Sequence, residues 1–437
     1  MQRIRHTSNN SKEKTITSKK WACSIALSLA ATAPAMGAGQ SEARGFIEDS
    51  SLDLFLRNAY ISRDYKQGRQ DKAEWGQGAV LNFTSGFTQG TVGFGVDAFG
   101  LYAVRLDSGR GRAGAAGIDF FHVGNDGKVE HDVARAGGSV KLRFSNTVLA
   151  YGDLRPTLPV LNHDASRLMP ESFTGTMITS NEIEGLTLHA GHFHAEARKS
   201  DESRDGGRLK AIDLIGGRYQ FNEVFSGALY ASDIEDVLER QYINLNYVRP
   251  LAQGDSLTLD FNGYNTRQDK KFDPDEGKNR IWSLAATYAT GPHAFTVAHQ
   301  RSSGDVGFNY GFYQSEGWVG NGGSTIFLAN SFWSDFNAKD ERSWQLSYAV
   351  DFTEYGVPGL SYVVAYVRGD NIDAGAPSRG KEREWFNQLS YKVQSGAAKD
   401  LSIRLRASFL RVSEDARAYN SEGNEIRVFV DYPLNLF

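Results

Sequence analysis

The residues best equipped for chemistry are basic, and they recur on one parity of alternating segments. Arg57 and Arg63 share a parity, as do Lys141 with Arg143 and Arg404 with Arg406; Arg105 and Arg427 lie on the polar parity of their own segments. A guanidinium is a planar fork of N–H donors that matches a carboxylate and stays charged at any working pH. Such groups hold an anion without making or breaking a bond. Taken singly, each could instead be a solvated charge paired with Asp53, Asp97 or Glu425. The repeated single-parity placement favours a concerted role. Covalent chemistry has little to draw on. No nucleophile motif surrounds the scattered serines or Tyr151-Gly152-Asp153. His189, His192 and His194 are spaced by three and two, so only the last two share a strand face. The sequence places no partner acid beside them, and they read as pore or interface residues. Asp273-Pro274-Asp275-Glu276-Gly277 lacks a full calcium-loop pattern and reads as a turn. No cofactor is implied.

The elements that must position these bases are strands. From Thr91 to Leu106, Val92, Phe94, Val96, Ala98, Tyr102, Val104 and Leu106 share one parity, against Thr91, Gly93, Gly95, Asp97 and Arg105. Leu52, Leu54 and Leu56 oppose Asp53 and Arg57, and Val140, Leu142 and Phe144 oppose Lys141 and Arg143. The same alternation returns around 243–247, 257–261, 344–352 and 401–409. Period two with one apolar face is a strand, and no long segment carries the 3.6-residue period of a helix. Ser85-Gly86, Gly216-Gly217, Gly291-Pro292, Pro358-Gly359 and Ser395-Gly396 read as turns between strands.

Composition narrows the architecture. The 437 residues include 46 Gly, 19 Tyr, 26 Phe and 7 Trp, but only 40% are apolar. That is below the usual ~45–50% of a globular chain. The aromatic content argues against disorder, and a single Cys excludes a disulfide scaffold. A row of soluble sandwiches would need linkers, and no Pro/Ser-rich linker occurs. A closed barrel with an apolar face on lipid and a polar face on water fits one continuous run. Trp75, Tyr151, Trp282, Trp344 and Tyr432 suit interfacial girdles. At roughly 22 residues per strand with its connection, about 16–20 strands are expected, enough for an aqueous bore. Segments 107–135, 152–182, 265–280, 303–340 and 369–383 read as outer loops.

The N-terminus sets the compartment. Lys19 and Lys20 precede an apolar stretch from Trp21 to about Ala33, followed by small residues at 35–39. This is the layout of a secretory signal, so residues 1–38 are expected to be removed and 39–437 to form one domain. Cys23 leaves with the signal. Six basic residues and one acid leave too, which moves the net charge from −4 to −9. The acid excess argues against nucleic acid as a partner.

Arg44-Gly45-Phe46-Ile47-Glu48-Asp49-Ser50, the block Gly86–Ala98, Arg135-Ala136-Gly137-Gly138, the block Ser324–Ser331, Gly356-Val357-Pro358-Gly359-Leu360 and the closing Val428-Phe429-Val430-Asp431-Tyr432-Pro433-Leu434 resemble the OprD-type outer-membrane porins of pseudomonads. The resemblance covers about 40–437. It implies an 18-stranded transmembrane antiparallel β-barrel with inward-folded constriction loops, a monomer or loose homotrimer in outer-membrane lipid. It also implies passage of small carboxylate solutes along a basic ladder. Arg57, Arg63, Lys141, Arg143, Arg404 and Arg406 match ladder positions; Arg105 and Arg427 join them by parity. The stretch Asp153–Gly175, with Pro156, Pro159, Arg167 and Pro170 and the apolar Leu158, Val160 and Leu161, is odd for a solvated outer loop and corresponds to a constriction loop of the family. A second is Gly322-Gly323-Ser324-Thr325-Ile326, where members that take basic amino acids have Asp at the position of Ser324. Its loss points towards neutral or aromatic carboxylates. Competing readings are a barrel enzyme of lipase or protease type and a secreted glycan-binding β-protein. Pro433 and the phase of Phe437 predict a bulge or an early end to the last strand.

Overall fold

The computed structural model describes residues 39–107, 118–124, 128–204, 209–311 and 326–437. The proposed signal segment and Ser324 lie outside these. Twenty strands follow in chain order: β1 (Ser51–Tyr65), β2 (Lys72–Thr84), β3 (Val92–Arg105), β4 (Asp132–Phe144), β5 (Thr147–Leu154), β6 (Thr157–Leu158), β7 (Leu161–Asn162), β8 (Ser172–Ser180), β9 (Leu186–Ala197) and β10 (Ile212–Gln220). Then come β11 (Phe225–Ile234), β12 (Leu238–Pro250), β13 (Ser256–Gln268), β14 (Lys278–Thr290), β15 (His293–Gly304), β16 (Arg342–Asp351), β17 (Leu360–Ile372), β18 (Gly380–Lys392), β19 (Ser402–Val412) and β20 (Gly423–Asn435).

β6 and β7 make a small hairpin of their own. The other eighteen form one antiparallel sheet in which β5 pairs with β8 across that hairpin. β20 returns to β1, in register from Asp53↔Asn435 to Tyr65↔Gly423. The sheet therefore closes and leaves no edge. Closure satisfies every strand's backbone groups within the sheet, which lipid requires because it offers no hydrogen-bond partners.

The period-two pattern decides the faces. Val92, Phe94, Val140, Leu142, Leu346, Ile403 and Leu405 all point outward and are exposed. Arg57, Arg63, Lys141, Arg406 and Arg427 point inward and are buried. Connections at the end where β1 begins are short, such as 145–146, 221–224 and 291–292. The long connections, those that leave β3, β5, β9 and β15, start at the opposite end. The segment 198–211 was not expected as a loop. Conversely, β8 lies wholly inside the expected loop 152–182, and β4, β14 and β18 start inside the expected loops 107–135, 265–280 and 369–383.

Two expectations are corrected. Gly216 and Gly217 are no turn; they lie in the middle of β10, paired with Tyr230 and Leu229 of β11. A Cβ on Gly216 would sit 2.4 Å from the Leu229 carbonyl and 2.3 Å from the Tyr230 ring, so close approach explains the missing side chain. Pro433 does not end the last strand either. It pairs with Phe55 of β1, beyond the last β19–β20 pair at Ser402↔Asp431. One side of β20 is already open there, where a strand tolerates proline.

The inner face is less uniformly polar than alternation implies. Ile61, Val80, Leu101 and Ala103 look inward and are buried under Phe120, Phe121, Leu168 and Met169 from two loops. A second inner cluster joins Phe193, Ile212, Leu214, Tyr230 and Tyr264 to Leu158, Val160 and Leu161 at the hairpin tip. Segment 155–171 thus touches the β9–β14 wall with its hairpin and the β20–β4 wall with Leu168 and Met169. It crosses the bore. Residues 326–341 follow the inner wall further round, tied down by Phe327 N–H to the Tyr264 hydroxyl (3.1 Å) and Asn330 Nδ2 to Ser343 Oγ (2.8 Å).

Candidate functional site

The crossing segment places a basic column on one stretch of wall. β19, β20 and β1 are consecutive, and their register stacks inward side chains in levels. Arg57 is level with Asp431; Arg404 with Phe429; Arg406 with Arg427, itself level with Ile61; and Arg63 with Glu425. Same-face levels on a strand are roughly 7 Å apart, so the column climbs roughly 20 Å along the bore.

The acids divide these arginines into two kinds. Arg57 grips Asp431 with both Nε (2.7 Å) and Nη2 (3.0 Å). Its Nη1 donates to the carbonyls of Ala165 (2.8 Å) and Arg167 (2.7 Å). Arg57 therefore anchors the crossing segment. Arg63 and Arg427 share Glu425: Arg63 Nε lies 2.7 Å from Oε2, and Arg427 Nε 2.6 Å from Oε1. Arg404 reaches Asp431 only at 3.9 Å and stacks on Phe429. Arg406 is 4% exposed. Its Nε and Nη2 are buried with no acceptor among the described residues, and its guanidinium lies 4.7 Å from the Phe386 ring centre. A buried donor left unpaired is costly, which sets Arg406 apart from the acid-paired arginines of the column.

Arg167 caps the column from the crossing segment. Its Nε donates to the Ile118 carbonyl and its Nη1 to Ser166 Oγ (2.8 Å). Burial, reinforced by Arg427, pushes its guanidinium down to about 10, which still leaves it cationic at neutral pH.

The remaining predicted bases stand apart from this column. Lys141 and Arg143 lie on β4 near the short-turn end. Lys141 Nζ donates to Asp97 (2.6 Å) and the Ser85 carbonyl (2.9 Å), whereas Arg143 Nε donates to Gln40 Oε1 (2.9 Å) and stacks on Phe87. Arg105, at the long-loop end of β3, reaches the Val129 carbonyl (3.3 Å) and His131 (3.4 Å). His189 faces inward against the Tyr230 hydroxyl (3.0 Å), while His192 and His194 are exposed on the outer face, where an acid the sequence did not place, Asp213, lies 2.8 Å from His192 Nδ1. Asp273 accepts the backbone N–H groups of Asp275 (3.1 Å) and Gly277 (3.0 Å), the geometry of a turn.

Sequence reasoning passed over four inward cations. Arg135 shares the parity of Lys141 and donates to the carbonyls of Pro170 (2.6 Å) and Arg198 (2.5 Å). Arg240 shares that of Tyr242 and stacks on Phe308. Parity could have found both. Arg155 and Lys199 sit in loops, where no period speaks.

The residues 44–436 match the family model described as outer membrane porin, OprD family. The chain belongs to the OprD family. It is 43% identical to Porin D of Pseudomonas aeruginosa, across 95% of this chain and 99% of that one. Its fold is similar to that of Acinetobacter baumannii OccAB1, with a TM-score of 0.85, 38% identity and coverage of 91% and 99%. It is also similar to Pseudomonas aeruginosa OpdK solved with vanillate: TM-score 0.79, 33% identity, coverage 90% and 100%. This OprD-family chain is thus an outer-membrane porin in which β1 starts and β20 finishes at the end with the short turns.

Proposed function

We propose that this porin takes up small solutes bearing a carboxylate, and that the β19–β20–β1 column is their path. The observation that carries the reading is the column itself, five arginines against the two acids Asp431 and Glu425, with Arg406 left without an acid partner among the described residues. A carboxylate held weakly at one fork can pass to the next about 7 Å on, which is what conduction with selectivity needs. Arg57, Arg63 and Arg427, held by Asp431 and Glu425, keep the field positive and the wall rigid; Arg404 and Arg406 make the exchangeable contacts. Vanillate, found with OpdK, is itself an aromatic carboxylate, which supports that class. Lys141, Arg143 and Arg105 would serve the two entrances. Ser324 would keep the second constriction free of an acid. Residues 1–38 would be the export signal, and the barrel would work as a monomer or loose trimer.

A charge-assisted hydrogen bond contributes about 1.5–3 kcal/mol, so losing two such forks should weaken carboxylate binding tenfold or more. Arg404→Gln/Arg406→Gln barrels in planar bilayers should lose chloride-over-potassium preference and block by benzoate together. Unchanged block by every carboxylate tested, with folded barrels, would overturn the proposal.

A further inference from the structure

The outer face of the barrel carries a second arrangement of arginines, unrelated to the bore. At the long-loop ends of β15 to β19, outward positions bring Arg301 directly opposite Arg342, then Arg368 opposite Arg383 and Arg383 opposite Arg411. Like charges directly opposite on neighbouring strands destabilise a sheet. Arg342 is relieved by Asp370 (2.9 Å) and Arg411 by Glu422 (3.5 Å). Arg301, Arg368 and Arg383 have no acid partner among the described residues, and all three are exposed.

Their height in the membrane follows from what lies beneath. Trp344 is level with Arg368. One level towards the membrane centre, Tyr366, Trp385 and Phe409 stand side by side, with Tyr366 and Trp385 ring centres 4.9 Å apart. Trp344 and Trp385 are 59% and 52% exposed, on the lipid side. Aromatic girdles sit at the boundary of the hydrocarbon, so the arginine row lies roughly 7 Å further out, at headgroup depth. A guanidinium there meets lipid phosphate, which its fork binds bidentately.

We propose that this row is a binding site for phosphorylated lipid of the outward-facing leaflet, whose phosphates neutralise Arg301, Arg368 and Arg383. The row spans five neighbouring strands, about 20 Å, long enough to meet more than one phosphate. The charge is local to this side. On β10 to β12 the corresponding outward positions are acidic, with Asp213 opposite Asp233 and Asp233 opposite Glu239. That acidic row offers a competing partner, a second copy of the chain, and the test separates the two.

The full barrel, delipidated in neutral detergent at low salt, is titrated with diphosphoryl lipid A, its dephosphorylated form, and inorganic phosphate, with native mass spectrometry as readout. Binding of the diphosphoryl form alone is expected. Arg301→Gln/Arg368→Gln/Arg383→Gln should weaken it ~100-fold, at roughly fivefold per surface charge, and the corresponding lysine triple variant should retain most of it. Heat-modifiable migration and unaltered conductance report folding, since these side chains face away from the bore. Should the triple variant fail to fold, Arg368→Gln/Arg383→Gln is read in its place. Equal binding of the dephosphorylated lipid, equal competition by free phosphate, or undiminished binding by the glutamine variant would each overturn the proposal. So would a variant that loses only its association with further copies, which would give the row to the acidic face of a neighbour.

Discussion

Lys199 shows how single charges hold the constriction. Its ammonium is buried between Asp164 (2.6 Å) and Asp119 (3.4 Å), side chains from three different loops. Lys199 and Arg167 hold the Asp164 carboxyl well below the usual range against the opposing effect of burial. Removing one member of such a buried set leaves uncompensated charge and costs about 3–5 kcal/mol. Lys199→Met should therefore lower the temperature at which the barrel changes migration and should raise open-channel noise. Next to it, burial pushes Glu171 up to about 8. A folded-state value above the unfolded one favours folding while the group is protonated. That contribution is full below about 4.5 and is lost as pH rises through about 8. Glu171→Gln keeps an acceptor for the Asp164 N–H and cannot ionise. Its melting temperature should match the wild type at pH 4 and exceed it at pH 9; parallel curves would refute this. At this scale the sequence was only partly informative. The parity of Arg57 and Arg406 was legible, but what decides their roles, Asp431 for one and no acid partner among the described residues for the other, depends on distant segments.

Among the elements, the crossing segment 155–171 is decisive. Three prolines and an apolar tip marked it as unsuited to open solvent, and it packs Leu158, Val160 and Leu161 against one wall and Leu168 against the other. Leu168→Ala removes a buried side chain from the second contact and should cost about 2–5 kcal/mol. The barrel should still fold, because its strands keep their partners, but unit conductance should become larger and more variable. A conductance trace identical to wild type would mean that the segment is held elsewhere. β10 teaches the opposite lesson. Gly216-Gly217 has the composition of a turn, yet its place is mid-strand because neighbouring side chains occupy the space. Local composition cannot register a contact with Tyr230 on the next strand.

For the molecule as a whole, closure is the controlling event. β20 supplies Asp431, Glu425 and Arg427 to the column and also satisfies the open side of β1. Deleting residues 423–437 would leave β1 and β19 with unpaired backbone groups facing lipid, several kcal/mol for each group. Such a chain should give no heat-modifiable band and should remain accessible to protease. Compact, protease-resistant barrels from the truncated chain would show that seventeen strands can close.

The sequence by itself determined the alternation, and alternation settles which side chains face lipid and which face the bore, because a strand has a period of two whatever its neighbours. It also held the strand range and the odd character of 155–171; eighteen strands came from resemblance. Only the tertiary structure decided the rest. Register between β19, β20 and β1 put five arginines in one column and set Lys141, Arg143 and Arg105 apart. Inward loops covered Leu101 and Ala103, so an apolar inner face is stable where loops bury it. Which charge finds a partner depends on the stagger of strands hundreds of residues apart in the chain, and no local pattern encodes that distance.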